Sequence, residues 1–293
     1  MSGASVQHRS LLAGAALGTI AIICATAVRA ESPFERGAYL MRSIVACGNC
    51  HTPKGPDFQP LADQELSGGF VIEAPVFRAV ASNITPDPET GIGGWTDEQI
   101  VDAIRNGKRP DGTIIGPPMP IAFYRGMSDT DVHAIVAYLR SVKPIRNQVE
   151  KSTYKIPLPP SYGPVVVHVN DVSAGDRLAY GHYLASALGH CLDCHTPLLP
   201  TGQNDTTRLG AGGNELPGPG NSVVVSSNLT PGNPKGIAGW SDAQLKAAIR
   251  LGHRPDGSAL VGPMAFDWYK NIEDADLDML VAYLRTLNPV KTD

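Results

Sequence analysis

Cys47-Gly48-Asn49-Cys50-His51-Thr52-Pro53 recurs 144 residues later as Cys191-Leu192-Asp193-Cys194-His195-Thr196-Pro197. Beyond these strings the offset becomes 145 and holds. Asn83-Ile84-Thr85-Pro86 corresponds to Asn228-Leu229-Thr230-Pro231, and Gly91-Ile92-Gly93-Gly94-Trp95 to Gly236-Ile237-Ala238-Gly239-Trp240. Gly107-Lys108-Arg109-Pro110-Asp111-Gly112 matches Gly252-His253-Arg254-Pro255-Asp256-Gly257, and Ala137-Tyr138-Leu139-Arg140 matches Ala282-Tyr283-Leu284-Arg285. Self-similarity at a fixed offset marks a duplicated unit. Two domains are expected, residues 31–150 and 175–293. The stretch 151–174, which holds Ile156-Pro157-Leu158-Pro159-Pro160, reads as a Pro-rich linker and semi-rigid spacer.

Within each copy the pattern is mainly helical with long loops. Residues 34–46 and 177–188 carry apolar side chains at helical spacing just before each cysteine string. Thr96-Asp97-Glu98-Gln99 and Ser241-Asp242-Ala243-Gln244 read as capping boxes, with Gly107 and Gly252 placed to stop the helices they open. A last helix is expected over 128–141 and again over 273–287. Residues 52–94 and 196–239, rich in Gly, Pro, Asn and Asp, read as loop with a short hairpin.

Of the 293 residues 42% are hydrophobic and 18% charged, so the chain can build cores, while 31 Gly and 25 Pro imply much irregular backbone. The formal charge is −4 without a basic run, which argues against nucleic acid and anionic membrane surfaces as partners. Residues 1–30 read as a signal peptide: after Arg9 comes the uncharged stretch LLAGAALGTIAIICATAV, then Arg29-Ala30 at a cleavage position. Its apolar run is also long enough to cross a bilayer, so an uncleaved anchor is the other reading. The mature chain keeps 22 basic against 28 acidic residues and is mildly acidic.

A Cys-x-x-Cys-His string is the attachment signature of c-type haem. Two thiols, Cys47 with Cys50 and Cys191 with Cys194, would reach two vinyl groups on one side of a porphyrin. The next residue, His51 or His195, then meets the iron. Disulfides, a redox dithiol or a four-cysteine zinc site would use the same thiols, but none calls for a His after each pair. The duplication also selects a second ligand. Met41, Met127 and Met279 have no methionine at their mapped positions, whereas Met119 maps onto Met264, each after a Pro-flanked turn. His/Met ligation raises a haem potential relative to two nitrogen ligands and leaves no open site for substrate. His133, His168, His182, His190 and His253 are not duplicated. Trp95, Trp240, Arg109 and Arg254 are, and could donate to haem propionates; a core role for Trp and a turn role for Arg-Pro-Asp-Gly explain them equally well.

With these residues in view, CGNCH, SNITP, GIGGW, RPDG and GPPMP resemble class I cytochrome c domains in the multihaem cytochrome subunits of periplasmic alcohol, aldehyde and nicotinate-type dehydrogenases. The resemblance implies two tandem domains of that class and two covalently bound haem c groups on Cys47, Cys50, Cys191 and Cys194. It makes His51 and His195 proximal ligands and Met119 and Met264 distal ones. It implies a dihaem electron-transfer subunit without catalysis of its own, taking electrons from a periplasmic dehydrogenase and giving them to a soluble cytochrome or a terminal oxidase. Its place would be the periplasm, held at the inner membrane by the partner or an uncleaved N-terminus. Alcohol dehydrogenase subunits generally carry three haem domains and a membrane-associating tail; with two motifs, direct quinone reduction is not expected. The alternative is a dihaem enzyme, such as a cytochrome c peroxidase or a thiosulfate dehydrogenase. A peroxidase needs an iron open to peroxide, which a methionine in both copies disfavours. A thiosulfate dehydrogenase uses a cysteine ligand, and here the mature cysteines are all committed to attachment.

Overall fold

In a computed structural model of the chain, residues 1–4, 31–218 and 222–290 are described. The expected signal segment, with Arg9, Cys24 and Arg29, lies outside them. Each half begins and ends with helices that cross. In the first, α1 (Pro33–Arg42) meets α5 (Asp129–Ser141); in the second, α6 (Arg177–Tyr183) meets α10 (Asp274–Leu284). The crossings require glycine: a Cβ on Gly37 would lie 1.9 Å from the Ala134 carbonyl oxygen, and one on Gly181 2.2 Å from that of Met279. Backbone therefore touches backbone, and the flanking apolar side chains interlock around the contact.

Local signals set the helix ends. Ser32 and Glu35 form a capping box at α1, and Asp176 caps α6 by accepting from Ala179 N–H. The capping boxes at Thr96 and Ser241 open α3 (Asp97–Asn106) and α8 (Asp242–Leu251) as the sequence predicts, and Gly107 and Gly252 end them with φ of +66° each. The helix expected over 34–46 stops at Arg42, where the chain turns through Ala46 at φ +50° into the first cysteine. The second copy reaches Leu188, but its last five residues, Leu184–Leu188, form a π turn. The loops carry hairpins: β1 (Val71–Ala74) with β2 (Phe77–Val80), and β4 (Glu215–Pro217) with β5 (Val223–Val225). Two further short helices, α4 (Ile121–Tyr124) and α9 (Phe266–Tyr269), follow the Pro-flanked methionines.

The stretch 151–174 lies along the first half as a strap. Its strand β3 (Thr153–Tyr154) extends the first hairpin by pairing with β2, and Val166 exchanges two hydrogen bonds with the Asn106 side chain. The halves also hold each other directly. Tyr39 on α1 donates to Asp276 at the start of α10 (2.7 Å), and Tyr183 on α6 donates to Asp131 at the start of α5 (2.7 Å). Asp131 further accepts from Arg36 (2.7 Å). Among the described residues no helix is long and apolar enough to cross a membrane.

Inserting a methyl group at the second helix crossing must force the helices apart, so Gly181→Ala is expected to lower stability by about 2 kcal/mol. Urea unfolding of the haem-loaded protein measures this, and a midpoint unchanged from wild type would show that the crossing has slack.

Candidate haem-binding cavity

Each Cys-x-x-Cys-His string forms a single helical turn. In the first, Cys47 leads into α2 (Gly48–His51); in the second, α7 (Cys191–Cys194) ends just before His195. One turn brings both thiols and the imidazole to the same side, and all six groups face one cavity of about 690 Å³ that runs through both halves. Met119 and Met264 line it too, as do Trp95, Trp240, Arg109 and Arg254. Every predicted site residue is thus brought to this cavity. Of His133, His168, His182, His190 and His253, only His190 reaches it.

The imidazoles are oriented from behind. The Nδ1 of His51 lies 2.8 Å from the Ser82 carbonyl and that of His195 2.7 Å from the Ser227 carbonyl. A carbonyl can only accept, so Nδ1 carries the proton and Nε2 keeps its lone pair for a metal. Burial lowers the pKa of both rings, with the carbonyl bond acting the other way, which favours the neutral, ligating form. The histidines' own carbonyls accept from Gly68 N–H (2.7 Å) and Gly212 N–H (2.8 Å), fixing the backbone after each motif. All four thiols are free of disulfides. Burial pushes Cys47 and Cys194 up to about 12 and Cys191 to about 11, and raises Cys50, so they are not the activated thiolates of a redox dithiol.

The remaining duplicated motifs hold the walls. Asn83 accepts from Thr85 N–H and donates to the Ile145 carbonyl (2.7 Å); Asn228 accepts from Thr230 N–H and donates to the Val290 carbonyl (3.0 Å). Each asparagine thereby ties the loop after its histidine-supporting serine to the chain leaving the last helix. Arg140 clasps the Trp95 carbonyl and Asp97, and Arg285 clasps the Trp240 carbonyl and Asp242. The Arg109 guanidinium closes its own turn on Thr113 and the Ile114 carbonyl, and Arg254 does so on Ser258 and the Ala259 carbonyl. Beyond the predicted set, the cavity is lined by Tyr124 and Tyr269, both buried. His190 packs edge-on to Tyr124 at 5.6 Å, with its pKa lowered to about 4 by burial. The two tyrosines and the two serine carbonyls recur at the 145-residue offset, a signal the sequence already carried.

The donor set suits a haem: largely apolar walls, paired thiols, a single oriented imidazole per half, and one thioether per half that also lines the cavity. Among the described residues no group of three or more His, Cys, Asp or Glu is placed to hold a bare metal ion. A porphyrin needs only two axial groups from the protein, and when bound it supplies a one-electron iron couple. Residues 32–139 match the family described as cytochrome c oxidase, cbb3-type, subunit III. A dihaem c-type cytochrome of Cereibacter sphaeroides is 30% identical, across 84% of this chain and 83% of its own length.

The chain belongs to the c-type cytochromes.

This cytochrome is also 32% identical to the fructose dehydrogenase cytochrome subunit of Gluconobacter japonicus over 96% of its length. It is 32% identical over 89% to the cytochrome c subunit of the quinone-linked alcohol dehydrogenase of Gluconobacter oxydans. It spans 60% and 56% of those two proteins. Membership of the family makes its role electron transfer by covalently bound haem c.

If Met119 and Met264 each ligate an iron, the oxidised cytochrome shows the weak far-red band of thioether-bound ferric haem, and Met119→Ala or Met264→Ala each removes about half of it. Absorbance of purified, haem-loaded variants decides this, and an undiminished band in either would remove that methionine from the ligand set.

Proposed function

We propose that this cytochrome is a two-haem relay built from two tandem class I cytochrome c domains, residues 31–150 and 175–293. Cys47 and Cys50 attach one haem, with His51 and Met119 on its iron; Cys191 and Cys194 attach the other, with His195 and Met264. The observation that carries the reading is the convergence of two equivalent ligand sets on one cavity that crosses both halves. Trp95, Trp240 and the free edges of Arg109 and Arg254 border the cavity where propionates need donors.

With both irons closed by protein ligands, no step of substrate chemistry is assigned to the chain. The residues would attach and orient the two haems, and the haems would supply the one-electron chemistry. The likeness to fructose and alcohol dehydrogenase cytochrome subunits favours a periplasmic dehydrogenase as donor, with a soluble cytochrome or terminal oxidase as acceptor. Export across the inner membrane accords with covalent attachment, which prevents loss of the cofactor outside the cell.

Intact-mass measurement of the secreted protein is expected to show two haems. Replacing Cys47 and Cys50 together by Ser, or Cys191 and Cys194 together, removes one haem in each case and leaves the other. The reduced cytochrome is expected to turn over neither hydrogen peroxide nor, once oxidised, thiosulfate. Sustained peroxide consumption or tetrathionate formation would overturn the relay in favour of a dihaem enzyme.

A further inference from the structure

The two halves treat the loops before Met119 and Met264 differently. In the first, the strap crosses the loop and is bonded to it. Tyr154 Oη donates to the Pro117 carbonyl (3.1 Å), and Tyr162 Oη donates to the Ile115 carbonyl (2.8 Å). The fit is close. A Cβ on Gly116 would lie 2.6 Å from the Tyr154 ring and 2.7 Å from Leu158, and one on Gly107 would lie 2.8 Å from the Tyr162 ring. Two phenols thus anchor the loop leading into Met119 while their rings pack on Gly116 and Gly107.

In the second half the corresponding carbonyls belong to Leu260 and Gly262, and among the described residues no hydrogen bond reaches either. Val261, at the position of Gly116, is 57% exposed, and a Cβ on Gly262 would find nothing nearer than 3.9 Å. This loop is instead tied to the other half, where Asn49, inside the first cysteine string, donates to the Pro263 carbonyl at 3.3 Å. The second string has Asp193 at the matching position, a side chain that lacks the amide N–H donor Asn49 uses.

We infer that Tyr154 and Tyr162 are positioning residues for the first distal ligand: the strap fixes and shields the Met119 loop, whereas the Met264 loop stays open to small molecules from solution. The inference rests on the reading of Met119 and Met264 as iron ligands. It makes the two irons unequal toward any external ligand that must displace a methionine.

Imidazole is the probe. In the haem-loaded Met264→His protein the remaining far-red band reports the first iron; in Met119→His it reports the second. The second iron is expected to lose its band at an imidazole concentration about tenfold lower than the first. Adding Tyr154→Phe and Tyr162→Phe, which keep the rings and remove only the hydroxyls, lowers the half-saturating concentration at the first iron by about tenfold and leaves the second unchanged. Equal affinities at the two irons, or no response to the double Phe change, or an equal response at both, would overturn the inference. A Met264→His protein that loads haem but has no far-red band would instead sink the assignment of Met119 itself. Should the ligand variants fail to load haem, the hyperfine-shifted methionine methyl signals of the oxidised Tyr154→Phe/Tyr162→Phe protein report the same asymmetry. One of the two signals is expected to vanish at lower imidazole than in wild type, and unchanged behaviour counts against the strap.

Discussion

Each half gives the other a tyrosine. Tyr39 donates across to Asp276 and Tyr183 donates across to Asp131, with Arg36 adding charge to the second bond. These bonds join the first helix of one half to the start of the last helix of the other. The last helix is also the one held by the glycine crossing and the one whose exit the asparagine clamp secures. The orientation of the halves and the shape of each haem wall are therefore set by the same helices. Asp131 is 6% exposed in its side chain, so the exchange is made in a desolvated setting where an unmatched partner would be costly. Loosening it would change the spacing of the two cysteine turns as well as stability.

Around that exchange the cavity is assembled almost entirely by backbone. Two serine carbonyls orient the imidazoles, two glycine amides hold the histidine carbonyls, and two asparagines bind carbonyls beyond the last helices. The side chains with chemistry of their own are few, and they sit on single turns or rigid Pro-flanked loops. Such a scaffold suits electron transfer, in which the ligands must not move between oxidation states.

Features that depend on neighbours along the chain are legible in the sequence itself. The cysteine turns, the capping boxes at Thr96 and Ser241, and the stops at Gly107 and Gly252 each depend on a handful of consecutive residues. The methionines are legible only through duplication, which separates Met119 and Met264 from the rest. What stays hidden has a common physical cause. A carbonyl acceptor has no residue type, so Ser82 and Ser227 look like any loop serine, and SNITP can be seen as a marker without its clamp. Helices α4 and α9 span four residues, too short for a periodic pattern. The strap reads as a spacer because proline content reveals stiffness but not what the stiff segment lies upon.

The cavity that passes from one half to the other has an electrical consequence. On the two-haem reading, both irons would sit in one cavity lined largely by buried apolar and aromatic side chains, where charge is poorly screened. An electron placed on one iron would then raise the energy of placing the next on the other. The two midpoint potentials would belong to the pair and not to either site alone, and the second reduction would be the harder of the two.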